Sequence, residues 1–122
     1  MNILILDDQE FRHDGFREAY KDLAVTLFHA YSYNEATQLL DNEVFDYIWL
    51  DHDLGTEKDG KDAARYIALL PKEKLPRCVY IHSANWSGAR EMKAILNECG
   101  MLAGAYNFND VLTGYLPHLQ DR

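Results

Sequence analysis

Four aspartates directly follow two short apolar runs in this sequence. Asp7 and Asp8 come after residues 3–6, and Asp51 and Asp53 come after residues 45–50. Short apolar runs of this kind are typical of strands that are buried on both faces of a parallel sheet. The carboxyl ends of such strands meet at one edge of the sheet. We therefore predict that these carboxylates converge at that edge.

Carboxylates that converge repel one another, and a bound cation relieves the repulsion. Mg²⁺ prefers oxygen ligands and typically takes one or two carboxylates together with water. The sequence therefore predicts a Mg²⁺ or Mn²⁺ site on Asp7, Asp8, Asp51 and Asp53. The alternative is that Asp7 and Asp8 only cap the following helix, whose dipole favours negative charge. That alternative leaves Asp51 and Asp53 unexplained.

Two histidines accompany the acidic residues. His52 follows Asp51 directly, and His82 precedes Ser83 at the end of another apolar run. A histidine that titrates near neutral pH can donate or accept a proton in catalysis. The candidate catalytic residues are therefore Asp51, His52, His82 and Ser83, with purely structural histidines as the alternative. Strand alternation places His82 and Ser83 on opposite faces unless the strand has already ended.

Arg12, Ser83 and Asn85 are the candidate substrate-binding residues, since each is placed near the same edge and can donate hydrogen bonds to phosphate. Trp86 begins a helical pattern, where it either stacks on a base or packs in the core. Phosphate could also contact Lys58, Lys61 and Arg90, although such residues are more often solvated charges on helix faces. The remaining histidines, His13, His29 and His118, are predicted to be structural or exposed.

Apolar runs alternate with helical patterns along the whole chain. Strands are predicted at residues 3–6, 25–28, 45–50, 78–81 and 101–108, and helices at 12–23, 33–40, 61–70, 86–99 and 110–119. Ser32 and Glu35 match a capping box at the start of the second helix. Five βα units with right-handed crossovers predict an α/β fold with three layers, in which helices cover both faces of a five-stranded parallel sheet.

The bulk composition limits the classes of function. The 122 residues are 48% hydrophobic, which favours one domain over residues 1–122 with a real core. No apolar run is long enough for a membrane span, and the start lacks the pattern of a signal peptide, so a cytoplasmic location is expected. The net charge of −8 disfavours broad binding to a nucleic-acid backbone. Cys78 and Cys99 do not form a disulfide framework and are predicted to be buried.

Three segments together resemble the response-regulator receiver domain: Leu6-Asp7-Asp8, residues 46–51 and Ile81-His82-Ser83-Ala84. The resemblance covers nearly the whole chain and implies a flavodoxin-like fold. In that family the aspartate pair and the third-strand aspartate bind Mg²⁺, and the latter accepts a phosphoryl group. The resemblance implies those roles for Asp7, Asp8 and Asp51, and it implies a phosphate-binding hydroxyl at Ser83.

The sequence departs from ordinary receivers in two places. Residues 104–108 contain no lysine where receivers carry one, and the loop after Asp51 reads His52-Asp53-Leu54-Gly55. This loop and residues 82–88 resemble a narrower group, the cyclic-phosphate-processing receiver domains. That resemblance implies a metal-dependent phosphoesterase for 2′,3′-cyclic phosphate ends of RNA or nucleotides, associated with RNA repair. The missing lysine and the altered loop make ordinary signalling through an aspartyl phosphate doubtful.

Two other functions stay open. A receiver without the lysine can act as a non-catalytic module for signalling or protein interaction. The Asp51-His52-Asp53 spacing also matches haloacid-dehalogenase-like phosphatases. In that family the nucleophile follows the first core strand, whereas here a complete βαβα unit precedes Asp51, so this reading is disfavoured.

Overall fold

Five parallel strands form the sheet, in the order β2-β1-β3-β4-β5. The computed structural model describes residues 1–114, 116 and 117. The strands are β1 Asn2–Leu6, β2 Thr26–Ala30, β3 Tyr47–Leu50, β4 Cys78–Ile81 and β5 Ala103–Ala105. The helices are α1 Glu10–Tyr20, α2 Tyr33–Asn42, α3 Gly60–Ala68, α4 Trp86–Glu98 and α5 Phe108–Leu112, with a 3₁₀ turn at Lys72–Lys74. The predicted α/β fold with a five-stranded parallel sheet is confirmed.

The pleat of the strands divides the core into two halves. Ile3 and Ile5 of β1 face α1 and α5, where Phe16 and Val111 cover them. Leu4 and Leu6 face the opposite layer, formed by α2, α3 and α4. Successive side chains of a strand point to opposite faces, so this alternation produces the three layers. The order of the strands reverses between β1 and β3, and ligands of such folds bind at that point.

Side chains cap the helices that begin near the carboxyl edge of the sheet. The Asp59 carboxylate accepts hydrogen bonds from the backbone N–H groups of Lys61 and Asp62. The Asp62 carboxylate in turn accepts from the Asp59 N–H, so α3 has a complete capping box. The predicted box at α2 is only half formed. Ser32 Oγ accepts from Glu35 N–H, but the Glu35 carboxylate accepts from the N–H of Tyr31 instead of Ser32.

The C-terminal part differs most from the sequence predictions. The fifth strand is three residues long, and α5 starts two residues earlier than predicted. The predicted end of that helix and His118 lie outside the described residues. Cys78 is buried as predicted, but the prediction for Cys99 is wrong because this cysteine ends α4 on the surface. None of the described helices combines the length and apolar character that crossing a membrane requires.

Candidate functional site

Asp7, Asp51 and His82 lie side by side because each is the first residue after a neighbouring strand. Leu6 of β1 is in register with Leu50 of β3, and Leu50 is in register with Ile81 of β4. All three side chains continue the alternation that faces α1. Their candidate ligand atoms lie within 4.8 Å of one another, and all three residues are buried. The predicted convergence of Asp7 and Asp51 is therefore confirmed, and His82 joins them.

His82 holds the carboxylate of Asp7 in place. Its Nε2 lies 2.9 Å from Asp7 Oδ2, and both side chains are buried. Because an ionised carboxylate only accepts hydrogen bonds, Nε2 carries the proton. The imidazole ring packs against Phe16 and Trp49, and Nδ1 has no partner among the described residues. Burial lowers the pKa of His82, which the neighbouring Asp7 only partly offsets, so the ring is a neutral donor.

Arg12 brings a positive charge to the same two aspartates. Its Nη1 donates to both oxygens of Asp7, at 3.1 and 3.3 Å, and lies 3.4 Å from Asp51 Oδ2. The backbone N–H of Gln9 donates to Asp7 Oδ1 at 2.8 Å. Gln9, not an aspartate, is the N-cap of α1 and has no side-chain cap. The helix-capping alternative therefore explains one bond to Asp7 and leaves the position of Asp51 unexplained.

The two buried aspartates have different proton affinities. Burial opposes the ionisation of Asp7, but His82, the Gln9 N–H and Arg12 together keep its pKa below the usual value. Burial, followed by the charges of Asp7 and Asp8, raises the pKa of Asp51 to about 7, and Arg12 offsets only part of this. Asp51 is thus the carboxylate whose ionised form a nearby divalent cation would stabilise most.

The four predicted metal-binding aspartates separate into two groups. Asp7 and Asp51 belong to the cluster whose ligand atoms lie within 4.8 Å of one another, whereas Asp8 is not among the described residues of that cluster and acts on Asp51 through its charge. Gly55, in the loop after β3, has a φ of 66° and lies close to Asp8. A side chain at position 55 would crowd Asp8, since its Cβ would lie 3.1 Å from Asp8 Oδ2. Asp53 is exposed, and its carboxylate accepts a hydrogen bond from His52 instead. Asp7 and Asp51, with the charge of Asp8 nearby, offer the carboxylate oxygens that a hard divalent ion takes as ligands.

His52 lies on the opposite side of β3 from His82. Its Nδ1 is 2.8 Å from Asp53 Oδ1, so Nδ1–H donates to that carboxylate. Its Nε2 is 3.6 Å from Asp59 Oδ2, beyond hydrogen-bond distance, and the ring packs on Gly88 of α4. No hydrogen bond or ion pair in the described part of the chain joins His52 to Asp7 or Arg12. The side chain of His52 is 14% exposed, whereas that of His82 is fully buried.

Ser83 and Asn85 begin the turn between β4 and α4. Ser83 Oγ accepts a hydrogen bond from the Asn85 N–H at 3.0 Å, which leaves its hydroxyl proton free to be donated. Asn85 Oδ1 accepts from the Gly88 N–H at 2.9 Å and so caps α4. Ser83 therefore keeps the capacity that was predicted for phosphate binding, whereas the oxygen of Asn85 is committed to the helix.

An open pocket of about 390 Å³ adjoins the buried aspartates. Arg12, His82 and Ser83 form the side of the pocket that meets the acidic site. Aromatic residues from α1, α4 and the β5–α5 segment form the rest: Phe11, Trp86, Tyr106 and Phe108. Trp86 is exposed, so packing in the core, one of its two predicted roles, is wrong. The other three were not singled out from the sequence, because single aromatic residues give no spacing signal.

The buried His13 and the half-buried His29 contact each other beneath the loop that follows β1. His13 Nε2 lies 2.8 Å from the carbonyl oxygen of Asp7, so this nitrogen donates, and His13 Nδ1 lies 2.7 Å from His29 Nδ1. Burial, together with the charges of Arg17 and His13, lowers the pKa of His29 to about 4. The predicted structural role of His13 and His29 agrees with these contacts.

Comparison with protein families gives one match over most of the chain. A family model described as the Cyclic-phosphate processing Receiver domain matches residues 2–98. This segment contains Asp7, Asp8, Asp51, Asp53, His52, His82 and Ser83, but not the β5–α5 part of the pocket. No match was found among curated proteins.

Solved structures share the fold at low sequence identity. A CheY-like response regulator receiver domain from Methylobacillus flagellatus superposes with a TM-score of 0.77 at 18% identity, covering 99% of this chain and 97% of that chain. The signal receiver domain of a putative Luxo repressor protein from Vibrio parahaemolyticus gives 0.69 at 22%, covering 98% and 90%. A response regulator from Burkholderia pseudomallei, with a phosphorylated aspartic acid and calcium ion, gives 0.66 at 21%, covering 98% and 69%. Identities this low establish the fold alone.

Proposed function

The chain belongs to the cyclic-phosphate processing receiver domains, and we propose that it hydrolyses 2′,3′-cyclic phosphates at the ends of RNA or nucleotides with the help of Mg²⁺ or Mn²⁺. The proposal assigns residues 1–122 to one receiver-like domain that acts in the cytoplasm. An association with RNA repair follows from the substrate.

The observation that carries the proposal is the buried pair Asp7 and Asp51, with Arg12 bridging them and Ser83 at the rim of the same pocket. A structural ion pair needs no pocket beside it. Here the guanidinium and a hydroxyl with a free proton both line an open cavity next to carboxylates that lack full charge compensation. This combination supports the binding of a phosphate together with a divalent ion.

Asp7, Asp8 and Asp51 are the residues that would hold the divalent ion. When bound, such an ion offsets the negative charge that develops on a phosphate and activates water as a nucleophile. His82 supports this site from behind, because its Nε2–H fixes one oxygen of Asp7. Groups that orient a ligand in this way are typical of metal sites.

The side chains that line the pocket can bind the phosphate itself. Only Nη1 of Arg12 is engaged by the aspartates, and its other nitrogens make no hydrogen bond within the described part of the chain. A guanidinium with free donors matches the geometry of phosphate oxygens. The hydroxyl of Ser83 donates a further bond. Both contacts strengthen as charge accumulates on the phosphate oxygens during the reaction.

Hydrolysis of the ring also requires two proton transfers. The oxygen of water bonds to phosphorus, the bond to O2′ or O3′ breaks, water loses a proton and the departing oxygen gains one. We assign proton transfer to His52, because its side chain is partly exposed and bonded to Asp53, whereas His82 is buried and its Nε2–H is bonded to Asp7. An imidazole oriented by a carboxylate is a common arrangement for general acid–base catalysis.

The test is an assay with cyclic and linear substrates side by side. Adenosine 2′,3′-cyclic monophosphate and an RNA oligonucleotide with a cyclic end are incubated with the protein and Mg²⁺ or Mn²⁺, and products are separated by chromatography. We expect metal-dependent ring opening, no release of phosphate from adenosine 3′-monophosphate, and loss of activity in Asp51→Asn. If neither cyclic substrate reacts while the ion is demonstrably bound, the chain is a non-catalytic receiver that acts through protein contacts.

A further inference from the structure

The pocket beside the acidic site is larger than a phosphate requires. Its volume of about 390 Å³ falls within the range of roughly 300–1,000 Å³ that is usual for sites of small organic ligands. Arg12 and Ser83 line one end, and the cavity extends from them between α1, α4 and the β5–α5 turn. A ligand whose phosphate is bound at Arg12 and Ser83 therefore has the rest of its structure inside this cavity.

Two large aromatic side chains are exposed at this cavity. Trp86, the first residue of α4, is 76% exposed, and Phe11, in the first turn of α1, is 60% exposed. Both line the pocket, although they come from different layers of the fold. Exposed aromatic surface beside a cavity is typical of a binding site, because covering it with a ligand ring removes apolar surface from water and stabilises the complex.

Phe11 is held in place by contacts with Arg12 and Phe108. The guanidinium carbon of Arg12 lies 5.0 Å from the centre of the Phe11 ring, a cation–π contact. Phe11 also meets Phe108 edge to face, with ring centres 6.5 Å apart. The residue that binds phosphate is thus in direct contact with an aromatic wall of the pocket.

The side chain of Asn109 can form hydrogen bonds with the edge of a flat, polar ring. Asn109 lines the pocket and is exposed, and its side-chain amide makes no hydrogen bond in the part of the chain that the structure describes. An amide offers both a donor and an acceptor, the pattern that base edges present. A purely apolar ligand would leave this amide unpaired.

We propose that this pocket binds the base of the terminal nucleotide, stacked on Trp86 and Phe11, while Arg12 and Ser83 hold its phosphate. The inference rests on the proposed function and adds that the protein recognises the base of the substrate as well as its cyclic phosphate. Stacking depends on the π-face that every base has, so it accommodates any RNA end, and Asn109 supplies a preference among bases.

Calorimetric titration of the protein in saturating Mg²⁺ tests the proposal without turnover, because linear monophosphates are not expected to react. The probes are adenosine 3′-monophosphate, ribose 5-phosphate and inorganic phosphate, and the variants are Trp86→Ala, Trp86→Phe and Leu69→Ala. Leu69 is an exposed apolar residue at the end of α3, outside the pocket, and serves as the matched control. Trp86 is exposed, so its substitution leaves the fold intact, which a melting curve verifies.

We expect the adenosine nucleotide to bind more tightly than either probe without a base. Trp86→Ala should weaken its binding by roughly 5- to 150-fold, the usual effect of losing one stacking contact. Trp86→Phe should restore most of the affinity, and Leu69→Ala should not change it. Binding of inorganic phosphate should be the same in all four proteins.

Equal affinity for adenosine 3′-monophosphate and ribose 5-phosphate in the wild type, unchanged in Trp86→Ala, would overturn the base pocket. The proposed function would survive that result if cyclic phosphate is still hydrolysed. Failure of the proposed function has a different signature, since cyclic substrates would then stay intact with the ion bound. Nucleotide binding that depends on Trp86 would in that case still support the pocket.

Discussion

Nη1 of Arg12 lies 3.4 Å from Oδ2 of Asp51, while the same atom donates to both oxygens of Asp7. The guanidinium therefore supplies positive charge to the two buried carboxylates that the divalent ion is proposed to need. Two cations beside one carboxylate pair repel each other, so Arg12 and the ion compete for this site. Release of Arg12 from Asp51 would leave its donors available to a phosphate.

Replacing Arg12 with glutamine should tighten metal binding and weaken phosphate binding. Loss of the competing charge should increase Mg²⁺ or Mn²⁺ affinity roughly tenfold, the equivalent of about 1.4 kcal/mol. Calorimetric titration with each ion, and separately with inorganic phosphate, measures both effects. Arg17→Gln is the control, because Arg17 lies in the same helix but pairs with exposed Glu10 and Asp14. Weaker metal binding in Arg12→Gln would mean that guanidinium and ion cooperate.

Mg²⁺ or Mn²⁺ should raise the melting temperature of the wild-type protein as the site fills. At an ion concentration 100 times Kd, binding adds about 2.7 kcal/mol to the free energy of unfolding. Replacing Asp8 and Asp51 together with alanine should abolish the response, and the metal-free double variant should be more stable because repulsion is relieved. Asp53→Asn should respond like the wild type, since the Asp53 carboxylate is bonded to His52. An unchanged response in the double variant would place the ion elsewhere.

The stability of the metal-free protein should record the raised pKa of Asp51. In the folded state this pKa is about 7, against 3.8 in the unfolded chain. The contribution of this carboxyl group to the free energy of unfolding is therefore complete below pH 3.8. It is lost as the pH rises from there through 7. His29 and His82, whose pKa values are lowered by burial, act in the opposite direction below pH 6.5. A variant of Asp51 alone is needed to separate the two effects.

Asp51→Asn should therefore gain stability over the wild type as the pH increases. Between pH 5 and 8 the difference in unfolding free energy should change by about 2–3 kcal/mol in favour of the variant. Urea denaturation with a chelator present measures it, and Asp53→Asn, which alters an exposed carboxylate, should show no such trend. A constant difference across this range would mean that Asp51 is ionised throughout.

The sequence was sufficient to predict the fold and the acidic edge because both depend on local patterns. Apolar runs that end in aspartate specify buried strands and their carboxyl ends, and strand neighbours then bring Asp7 and Asp51 together. Strand alternation also predicts which of these side chains share a face of the sheet. Residues 5 and 7, 49 and 51, and 80 and 82 share a face, which places His82 with the aspartates and His52 on the other side.

Other features of the site depend on contacts between distant residues. The bridging position of Arg12 follows from how α1 packs on the sheet, which no local pattern determines. The aromatic pocket joins Phe11, Trp86 and Phe108 from three helices that lie far apart in sequence. The exposure of Cys99 results from the point at which α4 ends, one residue earlier than predicted, and helix ends are poorly specified by periodicity.

Gly88 provides a way to test the catalytic role of His52 without altering the histidine. A Cβ at position 88 would lie 2.3 Å from Cδ2 and 2.7 Å from Nε2 of His52, so Gly88→Ala displaces the ring from its place beside α4. The proposed metal site is on the opposite face of the sheet and should be unaffected. Alanine also suits a helix better than glycine by about 1 kcal/mol, which limits the loss of stability.

If His52 transfers protons, His52→Ala should lower kcat for cyclic phosphate opening by roughly 10²–10⁴-fold, the usual contribution of general acid–base catalysis. Gly88→Ala should approach that loss, because an imidazole displaced from Asp53 no longer presents Nε2 in the same position. Both variants should keep the wild-type rise in melting temperature with Mg²⁺. Ser87→Ala, at an exposed position next to Gly88, is the matched control and should retain full activity. Full activity in both His52→Ala and Gly88→Ala would exclude His52 from the mechanism. His82 would then be the candidate for proton transfer, since it lines the pocket and its Nδ1 has no partner among the described residues.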